Sequence, residues 1–362
     1  MKTEVTRPSL PPFEEFCEEI RPLWESRILT NMGPKHEAFR ETLAARCGCP
    51  GITLFTNGHL ALEAALAAMH LPAGSEVITT PLTFVSTTHA IVRRGLKPVF
   101  CDVLAQDGTM DPEALEAAVT PRTSAILPVH VYGNPCDGPQ IGEIARRKGL
   151  KLVYDAAHAF GVSYRGESLL RWGDASVLSF HATKALTTVE GGAVCCRDLS
   201  LSGFLDDEKN FGIRDREHCE AIGGNAKMSE LQAAMGLCNL RHFDEAVARR
   251  KALTGRYRSL LEERVGWLLP REGTVGNYSY LPVLLDSPGR RDAAAEALEK
   301  EGIVARKYFW PLTSRLGCYR DFNPGHTPIA EDLAARVLTL PLYPDLPEEE
   351  IQRICLLLSR FL

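Results

Sequence analysis

Short apolar runs alternate with helical patterns between residues 50 and 200. The predicted strands are residues 76–79, 98–103, 124–131, 150–154, 175–180 and 193–196. Ala-rich or amphipathic segments separate several of them, at residues 60–69, 85–94, 112–118 and 140–148. Because each predicted strand is apolar almost throughout, the pattern indicates an α/β fold whose mostly parallel sheet has helices on both faces.

The pattern changes after about Lys227. A long helical stretch at 228–264 carries many charges and leads to a strand-like segment at 278–285, a helix around 291–302 and a terminal helix at 347–362. Since no Gly- or Ser-rich linker separates the two parts, we predict two domains packed together. The larger comprises residues 1–245, including an N-terminal arm, and the smaller α+β domain comprises residues 246–362.

Composition excludes several classes of function. The 362 residues carry 41 Lys and Arg against 46 Asp and Glu, a net charge of −5, without a basic block. Nucleic acid and anionic membranes are therefore poor candidate partners. No apolar run is long enough to span a bilayer, and the N-terminus lacks the pattern of a secretion signal. The expected location is the cytoplasm.

The 11 cysteines are scattered, and none forms a C-x-x-C pair. We interpret most of them as buried thiols of a reducing compartment. Because Cys and His do not recur at the spacing of metal ligands, no metal site is predicted. The usual markers of P-loop, dinucleotide-binding, zinc-peptidase and α/β-hydrolase proteins are also absent from the sequence.

The remaining candidates are polar residues at strand ends, where ligands bind in parallel sheets. Asp155 ends an apolar strand, and a carboxylate there needs a cationic partner to stay ionised. Its alternative role is to cap the following turn. His158, three residues later, is either part of the same site or a packed turn histidine.

Lys184 follows the predicted strand at 175–180 and precedes a turn that contains Glu190-Gly191-Gly192. Most lysines are solvated surface groups, but this one is expected near the ligand-binding edge of the sheet. A partly desolvated lysine can form a Schiff base with an aldehyde.

The segment Phe55-Thr56-Asn57-Gly58-His59 precedes the Ala-rich helix. The free N–H groups of a helix start can bind a phosphate, and Gly58 allows the backbone to approach it closely. The alternative is an Asn-Gly turn with an ordinary helix cap. A phosphate site, a carboxylate for a pyridinium nitrogen and a lysine for an aldehyde are together the groups that pyridoxal 5'-phosphate requires.

Five segments in the same order carry a resemblance to a known family. They are PLTFVS from Pro81, DAAHAFG from Asp155, SFHATK from Ser179, EGG from Glu190 and GNAKMSELQAA from Gly224. From Asn31 to about Ala234 the chain resembles the StrS/DegT-type sugar aminotransferases. The resemblance implies the aspartate-aminotransferase type of pyridoxal phosphate fold (type I), a homodimer with shared active sites, and pyridoxal 5'-phosphate as the cofactor.

The resemblance also implies roles for single residues. Lys184 corresponds to the Schiff-base lysine and Asp155 to the partner of the pyridine nitrogen. The other cofactor-binding positions follow by the same correspondence: His158 near the ring hydroxyl, Phe84 stacked on the ring, Ser179, Gly58 and His59 at the phosphate, and Asn225 reaching the phosphate of the other subunit. Asn225 could instead cap its own helix.

Three positions depart from the family pattern. His59 stands where many relatives have Thr or Ser, and Thr313 and Tyr343 stand where His is frequent. The phosphate contact of the His59 side chain and the sugar contacts of the smaller domain are therefore open.

Segments at 30–34, 130–136 and 209–212 make the chain most similar to family members that build dTDP-linked 4-amino-4,6-dideoxy sugars. The expected reaction moves an amino group, with glutamate as the expected donor, to a dTDP-4-keto-6-deoxyhexose. The alternatives are amination at C3, a UDP-linked sugar, or a regulator that binds pyridoxal phosphate without turnover. Lys184 argues against the relatives that deoxygenate sugars, which have His at this position.

Overall fold

The computed structural model describes residues 2–362. Thirteen strands are found in this range: β1 (Gly51–Phe55), β2 (Glu76–Thr79), β3 (Lys97–Phe100), β4 (Thr123–Leu127), β5 (Lys151–Asp155), β6 (Ser163–Tyr164), β7 (Glu167–Ser168), β8 (Ala175–Ser179), β9 (Gly192–Cys196), β10 (Gly266–Trp267), β11 (Thr274–Val275), β12 (Leu281–Leu284) and β13 (Val337–Leu340). Each of the six strands predicted from the pattern is present, with ends shifted by up to four residues.

The main sheet has seven strands in the order β1-β9-β8-β5-β4-β2-β3. Its strands run parallel except β9, which is antiparallel to both of its neighbours. Strand β1 was not predicted, because a five-residue apolar run beside a glycine gives little periodicity. The mostly parallel α/β sheet that the sequence predicts is confirmed, and its middle strands are buried on both faces.

Eleven α-helices accompany the strands: α1 (Phe13–Ser26), α2 (Pro34–Cys47), α3 (Gly58–Ala68), α4 (Val85–Arg93), α5 (Pro112–Ala118), α6 (Gly138–Lys148), α7 (Leu199–Lys209), α8 (Glu230–Leu261), α9 (Pro288–Lys300), α10 (Pro328–Arg336) and α11 (Glu348–Leu358). Helix α3 is buried along most of its length, as its alanines predict. Asn57 caps its start, and the Asn57 side chain accepts a hydrogen bond from the N–H of Leu60.

Helix α8 is the longest element, with 32 residues. Ser229 and Gln232 form a capping box at its start, each side chain bonding to the other's backbone N–H. Its first half packs beside α1 and α2, and its second half enters an apolar core with β12, β13 and α11. The division predicted at residue 245 falls inside this helix and stays a prediction.

We call residues 246–362 the C-terminal region and residues 2–245 the N-terminal region. The C-terminal region has its own sheet, in the order β10-β12-β13, with α9 and α11 packed near it. A separate apolar cluster joins the two regions and includes Leu82 and Tyr132 from one and Phe309 and Leu333 from the other. Within residues 2–362, no helix has the length and hydropathy needed to cross a bilayer.

Candidate active site

The carboxyl ends of β5 and β8 lie beside the first turn of α3, as neighbouring elements of one sheet edge. Asp155 is the last residue of β5 and Ser179 the last residue of β8, while Lys184 lies in the turn that follows β8. Strand β5 pairs directly with β8 in parallel register. The topology therefore brings together side chains that lie up to 29 positions apart in the sequence.

Asp155 is a buried carboxylate, with 8% of its surface exposed. One oxygen accepts a hydrogen bond from Thr87 Oγ1 at 2.7 Å, and the other accepts one from the N–H of Ala157 at 3.1 Å. Burial raises the pKa of Asp155, while these two hydrogen bonds and the charge of Lys184 act in the opposite direction. The carboxylate thus lacks a full counter-charge, and a pyridinium cation would supply one.

His158 is buried and held by a backbone contact. Its Nδ1 accepts a hydrogen bond from the N–H of Tyr132 at 3.1 Å. Burial, assisted by the charge of Lys184, lowers the pKa of His158 well below its ordinary value. The ring is therefore neutral near pH 7, and because Nδ1 accepts, the ring proton resides on Nε2, where it can be donated to an oxygen.

Lys184 is half-buried. Its charge contributes to lowering the pKa of Asp155 and that of His158. The amine also lies 3.5 Å from the hydroxyl oxygen of Tyr280, which belongs to the C-terminal region. Lys184 is therefore not a fully exposed surface lysine.

The proposed phosphate site is a narrow cradle between α3 and β8. A Cβ atom added to Gly58 would lie 2.8 Å from Cβ and 3.2 Å from Oγ of Ser179. Gly58 thus allows the helix start to pack closely against the end of β8, which brings the Ser179 hydroxyl beside the first turn of α3. Phe84 precedes α4 and leaves 57% of its surface exposed, so that a ring face is available for stacking.

The His59 side chain is occupied by protein partners. Its Nδ1 lies 2.8 Å from Ser86 Oγ, and its Nε2 lies 2.9 Å from a carboxylate oxygen of Glu63, which Arg93 also contacts. The sequence left the contribution of this side chain open. Because both ring nitrogens have protein partners, only the backbone N–H of His59, in the first turn of α3, is available to a phosphate.

Asn225 is exposed on a surface segment before α8. Its Oδ1 accepts a hydrogen bond from the Lys227 amine at 2.8 Å. Ser229 caps α8, so the alternative that Asn225 caps this helix is wrong. The neighbouring Ala226 carbonyl accepts a hydrogen bond from Thr56 N–H at 2.7 Å, which places the segment beside the start of the cradle in its own chain.

Sequence reasoning missed an aromatic wall that the C-terminal region contributes. The Tyr280 ring lies 4.7 Å from that of His158 and 6.0 Å from that of Tyr308, and Phe309 stacks parallel to His158 at 6.0 Å. These residues come from segments distant in sequence from Lys184. The one local signal in the sequence was the run of three consecutive aromatic residues Tyr308-Phe309-Trp310. Such a run does not by itself indicate a binding site.

Thr313 and Tyr343, the two residues of the C-terminal region that depart from the family pattern, are both buried. Thr313 Oγ1 donates to the carbonyl of Pro81 at 3.2 Å and accepts from Thr88 Oγ1 at 3.1 Å. Thr313 therefore joins the two regions. Tyr343 packs in the apolar core of the C-terminal region.

The donor set fits pyridoxal 5'-phosphate. A buried, under-neutralised carboxylate suits a protonated ring nitrogen, a neutral histidine with a free N–H suits a ring oxygen, and the Gly58 cradle suits a phosphate. Among residues 2–362, no cluster of three His, Cys, Asp or Glu side chains could hold a metal ion. All 11 cysteines are free thiols, and most are buried.

Comparisons with known proteins place this geometry in context. Residues 13–359 match the model of the DegT/DnrJ/EryC1/StrS aminotransferase family. The chain is 42% identical to a dTDP-4-amino-4,6-dideoxy-D-glucose transaminase of Shigella dysenteriae, over 97% of this chain and 96% of that protein. It is 34% identical to a UDP-N-acetyl-3-dehydro-α-D-glucosamine 3-aminotransferase of Acidithiobacillus ferrooxidans, over 93% and 90% of the two chains.

A solved structure resembles the whole fold. It is DesI in the presence of its TDP-sugar product, with a TM-score of 0.93 and 37% sequence identity. The similarity covers 99% of this chain and 92% of that one.

Proposed function

Because the chain belongs to the DegT/DnrJ/EryC1/StrS aminotransferase family, we propose that it transfers an amino group, from glutamate, to a dTDP-4-keto-6-deoxyhexose with pyridoxal 5'-phosphate as its cofactor. The product is a dTDP-4-amino-4,6-dideoxy sugar. The observation that carries the proposal is that the paired strands β5 and β8 bring Asp155, His158 and Lys184 to one edge of the sheet. The charge of Lys184 there acts to lower the pKa of both other groups.

When bound, pyridoxal 5'-phosphate supplies an aldehyde that accepts the amino group and a ring that withdraws electrons from the carbon losing its proton. Asp155 holds the proton of the ring nitrogen, since its carboxylate is buried and lacks a full counter-charge. The Lys184 amine moves the proton between the substrate carbon and the carbon beside the ring. His158 would donate from Nε2 to an oxygen of the ring, and Phe84 would offer its own ring for stacking.

The sugar is assigned by similarity. The relative of Shigella dysenteriae is named for a dTDP-linked 4-amino-4,6-dideoxy sugar, and the DesI structure contains a TDP-sugar product. The second candidate is a UDP-linked 3-keto sugar, which the name of the Acidithiobacillus ferrooxidans relative favours at lower identity. The greater identity to the first supports the dTDP-linked 4-keto sugar.

The test is a panel of nucleotide keto sugars offered to the purified enzyme with glutamate. We expect turnover with a dTDP-4-keto-6-deoxyhexose and a new amine at C4, located by NMR of the product. An amine at C3, or turnover with the UDP-linked sugar alone, would select the second candidate. If glutamate removes the visible absorption of the cofactor once and no sugar is then turned over, the protein would be a regulator.

We further propose a homodimer in which Asn225 contacts the cofactor phosphate of the partner subunit. The supporting observation is the exposure of Asn225 on a segment that does not belong to α8. A contact within its own chain is the competing arrangement, because Ala226 bonds to Thr56.

Mixing two inactive variants distinguishes the arrangements. Lys184→Ala lacks the amine, and Asn225→Asp places a negative charge beside the phosphate. If sites are shared, mixed dimers contain one site with both native residues, and activity rises above that of either parent. Subunit exchange verified by mass spectrometry without any gain in activity would assign Asn225 to its own chain.

A further inference from the structure

Tyr280 connects the C-terminal region to the predicted catalytic lysine. Its hydroxyl oxygen lies 3.5 Å from the Lys184 amine, which also lies 5.9 Å from the centre of the Tyr280 ring. Lys184 lies after β8 in the N-terminal region, and Tyr280 immediately precedes β12 in the C-terminal region. The contact therefore joins two parts of the chain separated by nearly one hundred residues.

A turn centred on Asn277 fixes the position of Tyr280. The Asn277 side chain is 2% exposed, and its amide nitrogen donates to the carbonyls of His158 at 2.8 Å and Phe160 at 2.9 Å. Its oxygen accepts from the N–H and the hydroxyl of Ser279. The amide thus uses both its donors and its acceptor, and it ties this turn to the segment that carries His158.

The turn also contains backbone strain. Tyr278 has a φ of +54°, a left-handed conformation that bulky residues rarely adopt. Strained backbone persists only where surrounding contacts determine it, and it is concentrated at functional sites. The sequence Asn277-Tyr278-Ser279 matches a glycosylation signal, but the structure gives the asparagine this positional role instead.

The ring of Tyr280 is held on more than one side. It lies against His158 at 4.7 Å with the planes at 57°, and Tyr308 meets it edge-on at 6.0 Å. With the ring enclosed in this way and the backbone fixed at Asn277, the hydroxyl has a defined location beside Lys184.

We propose that Tyr280 is a positioning residue for Lys184, holding the free amine at the site while the lysine is not bonded to the cofactor. This inference depends on the aminotransferase function proposed above. A phenol can accept a hydrogen bond from an ammonium group and donate one to a neutral amine. The same hydroxyl therefore keeps the lysine in place through both protonation states of the proton transfer, without gaining or losing a covalent bond.

The test uses Tyr280→Phe, which keeps the ring against His158 and removes the hydroxyl. Tyr278→Phe is the matched control, because this residue lies in the same turn but packs against the core of the C-terminal region. We expect kcat of Tyr280→Phe to fall about tenfold, the lower end for a hydrogen bond to a charged group, because the contact is 3.5 Å long. KM for the keto sugar should stay within about twofold, and the control should match the wild type.

A second measurement on cofactor-free protein does not depend on turnover. The rate at which trinitrobenzenesulfonate modifies Lys184 is followed by peptide mass spectrometry. An amine released from its hydrogen bond reacts faster, so we expect a several-fold increase in Tyr280→Phe and none in Tyr278→Phe.

Each other outcome overturns the proposal. An unchanged rate of Lys184 modification would do so whatever the kinetics, and so would an unchanged kcat. A rise in KM that accounts for the lost activity would place Tyr280 in the sugar pocket instead. An equal increase of modification in both variants would mean that the turn had merely loosened. If the wild type turns over no keto sugar, the proposed function fails, while the modification rates still report whether the hydroxyl holds the amine.

Discussion

The two walls of the site are built in different ways. The wall from the N-terminal region consists of Asp155, Ser179 and Lys184, which lie at or just after the ends of adjacent strands. The opposite wall, from the C-terminal region, consists of aromatic residues such as Tyr280 and Phe309, which follow no common strand edge. One wall contains the charged and titratable groups, and the other contains mainly ring faces.

The difference indicates that one wall contains the groups that handle protons and that the other contains the groups that contact the substrate. Groups that handle protons need positions fixed within a fraction of an ångström, and a buried parallel sheet provides them. We expect the ring faces of the facing wall to influence which molecule fits, and we expect the Tyr280 hydroxyl to orient the lysine. We therefore expect substitutions in the first wall to remove the reaction, and substitutions in the second to change its efficiency or the stability of the protein.

Lys184→Arg should have the largest effect. A guanidinium group stays protonated and can neither form the bond to an aldehyde nor accept a proton from substrate. We expect turnover to fall by about 10³-fold or more, and the visible absorption of the bound cofactor to change to that of the free aldehyde form. The measurements are steady-state kinetics and the absorption spectrum.

Lys300→Arg is the matched control, since this exposed lysine pairs with Glu296 on the surface of α9. It should retain full activity and the native spectrum. Substantial turnover by Lys184→Arg would break the distinction between the walls, because the charged wall would then not contain the essential amine.

Asp155→Asn should have the next largest effect. A neutral amide does not hold the proton of the ring nitrogen, so we expect a loss of activity on the order of 10². Asp198→Asn is a suitable control, because Asp198 is an exposed cap of α7 and asparagine caps equally well. Near-normal turnover of Asp155→Asn would mean that another group protonates the ring.

The same variant should lose activity but gain stability when the cofactor is absent. Because the pKa of Asp155 is raised in the folded, cofactor-free protein, the folded state binds this proton more tightly than the unfolded chain does. Stability is then lost as pH rises from the unfolded pKa through the folded pKa, and the loss is complete above both. Asparagine has no such charge, so cofactor-free Asp155→Asn should melt at a higher temperature than wild type at pH 8. An equal or lower melting temperature would contradict the uncompensated burial of this carboxylate.

Thr313→Val should have the smallest effect on catalysis. It removes the hydroxyl that bonds to Pro81 and Thr88 across the two regions without removing a charged group of the site. We expect unfolding by urea to show a loss of about 1–2 kcal/mol, with kcat within about twofold of the wild type. Thr42→Val, at an exposed hydroxyl of α2, should lose less stability. A large fall in kcat would place Thr313 in contact with the reacting groups.

The first wall was more predictable from sequence than the second for a physical reason. Parallel strands are continuously apolar, so a polar residue that ends one, such as Asp155, is visible locally and its position at the sheet edge follows. The position of Lys184 beside the site followed from the same reasoning. The roles of these residues in binding the cofactor stay predictions that the variants above test.

The facing wall depends on contacts that have no local pattern. Tyr280 is placed by hydrogen bonds from Asn277 to carbonyls more than a hundred residues earlier, and no periodicity reports such a pairing. The contacts of the His59 side chain could not be predicted from the sequence either, because its partner Ser86 belongs to another helix. The start of α8 was misplaced by two residues, since Lys227 and Met228 continue the helical pattern while Ser229 and Gln232 form the cap.

Helix α8 gives the two walls a mechanical connection. At 1.5 Å per residue its 32 residues form a rod about 48 Å long. In its first half Asn239 donates to the carbonyl of Thr187, three residues from Lys184, and in its second half Tyr257 donates to the carbonyl of Pro341, just after β13. We therefore expect a displacement of the C-terminal sheet to be transmitted along this helix to the turn that contains Lys184, so that the distance between the two walls and the location of the amine change together.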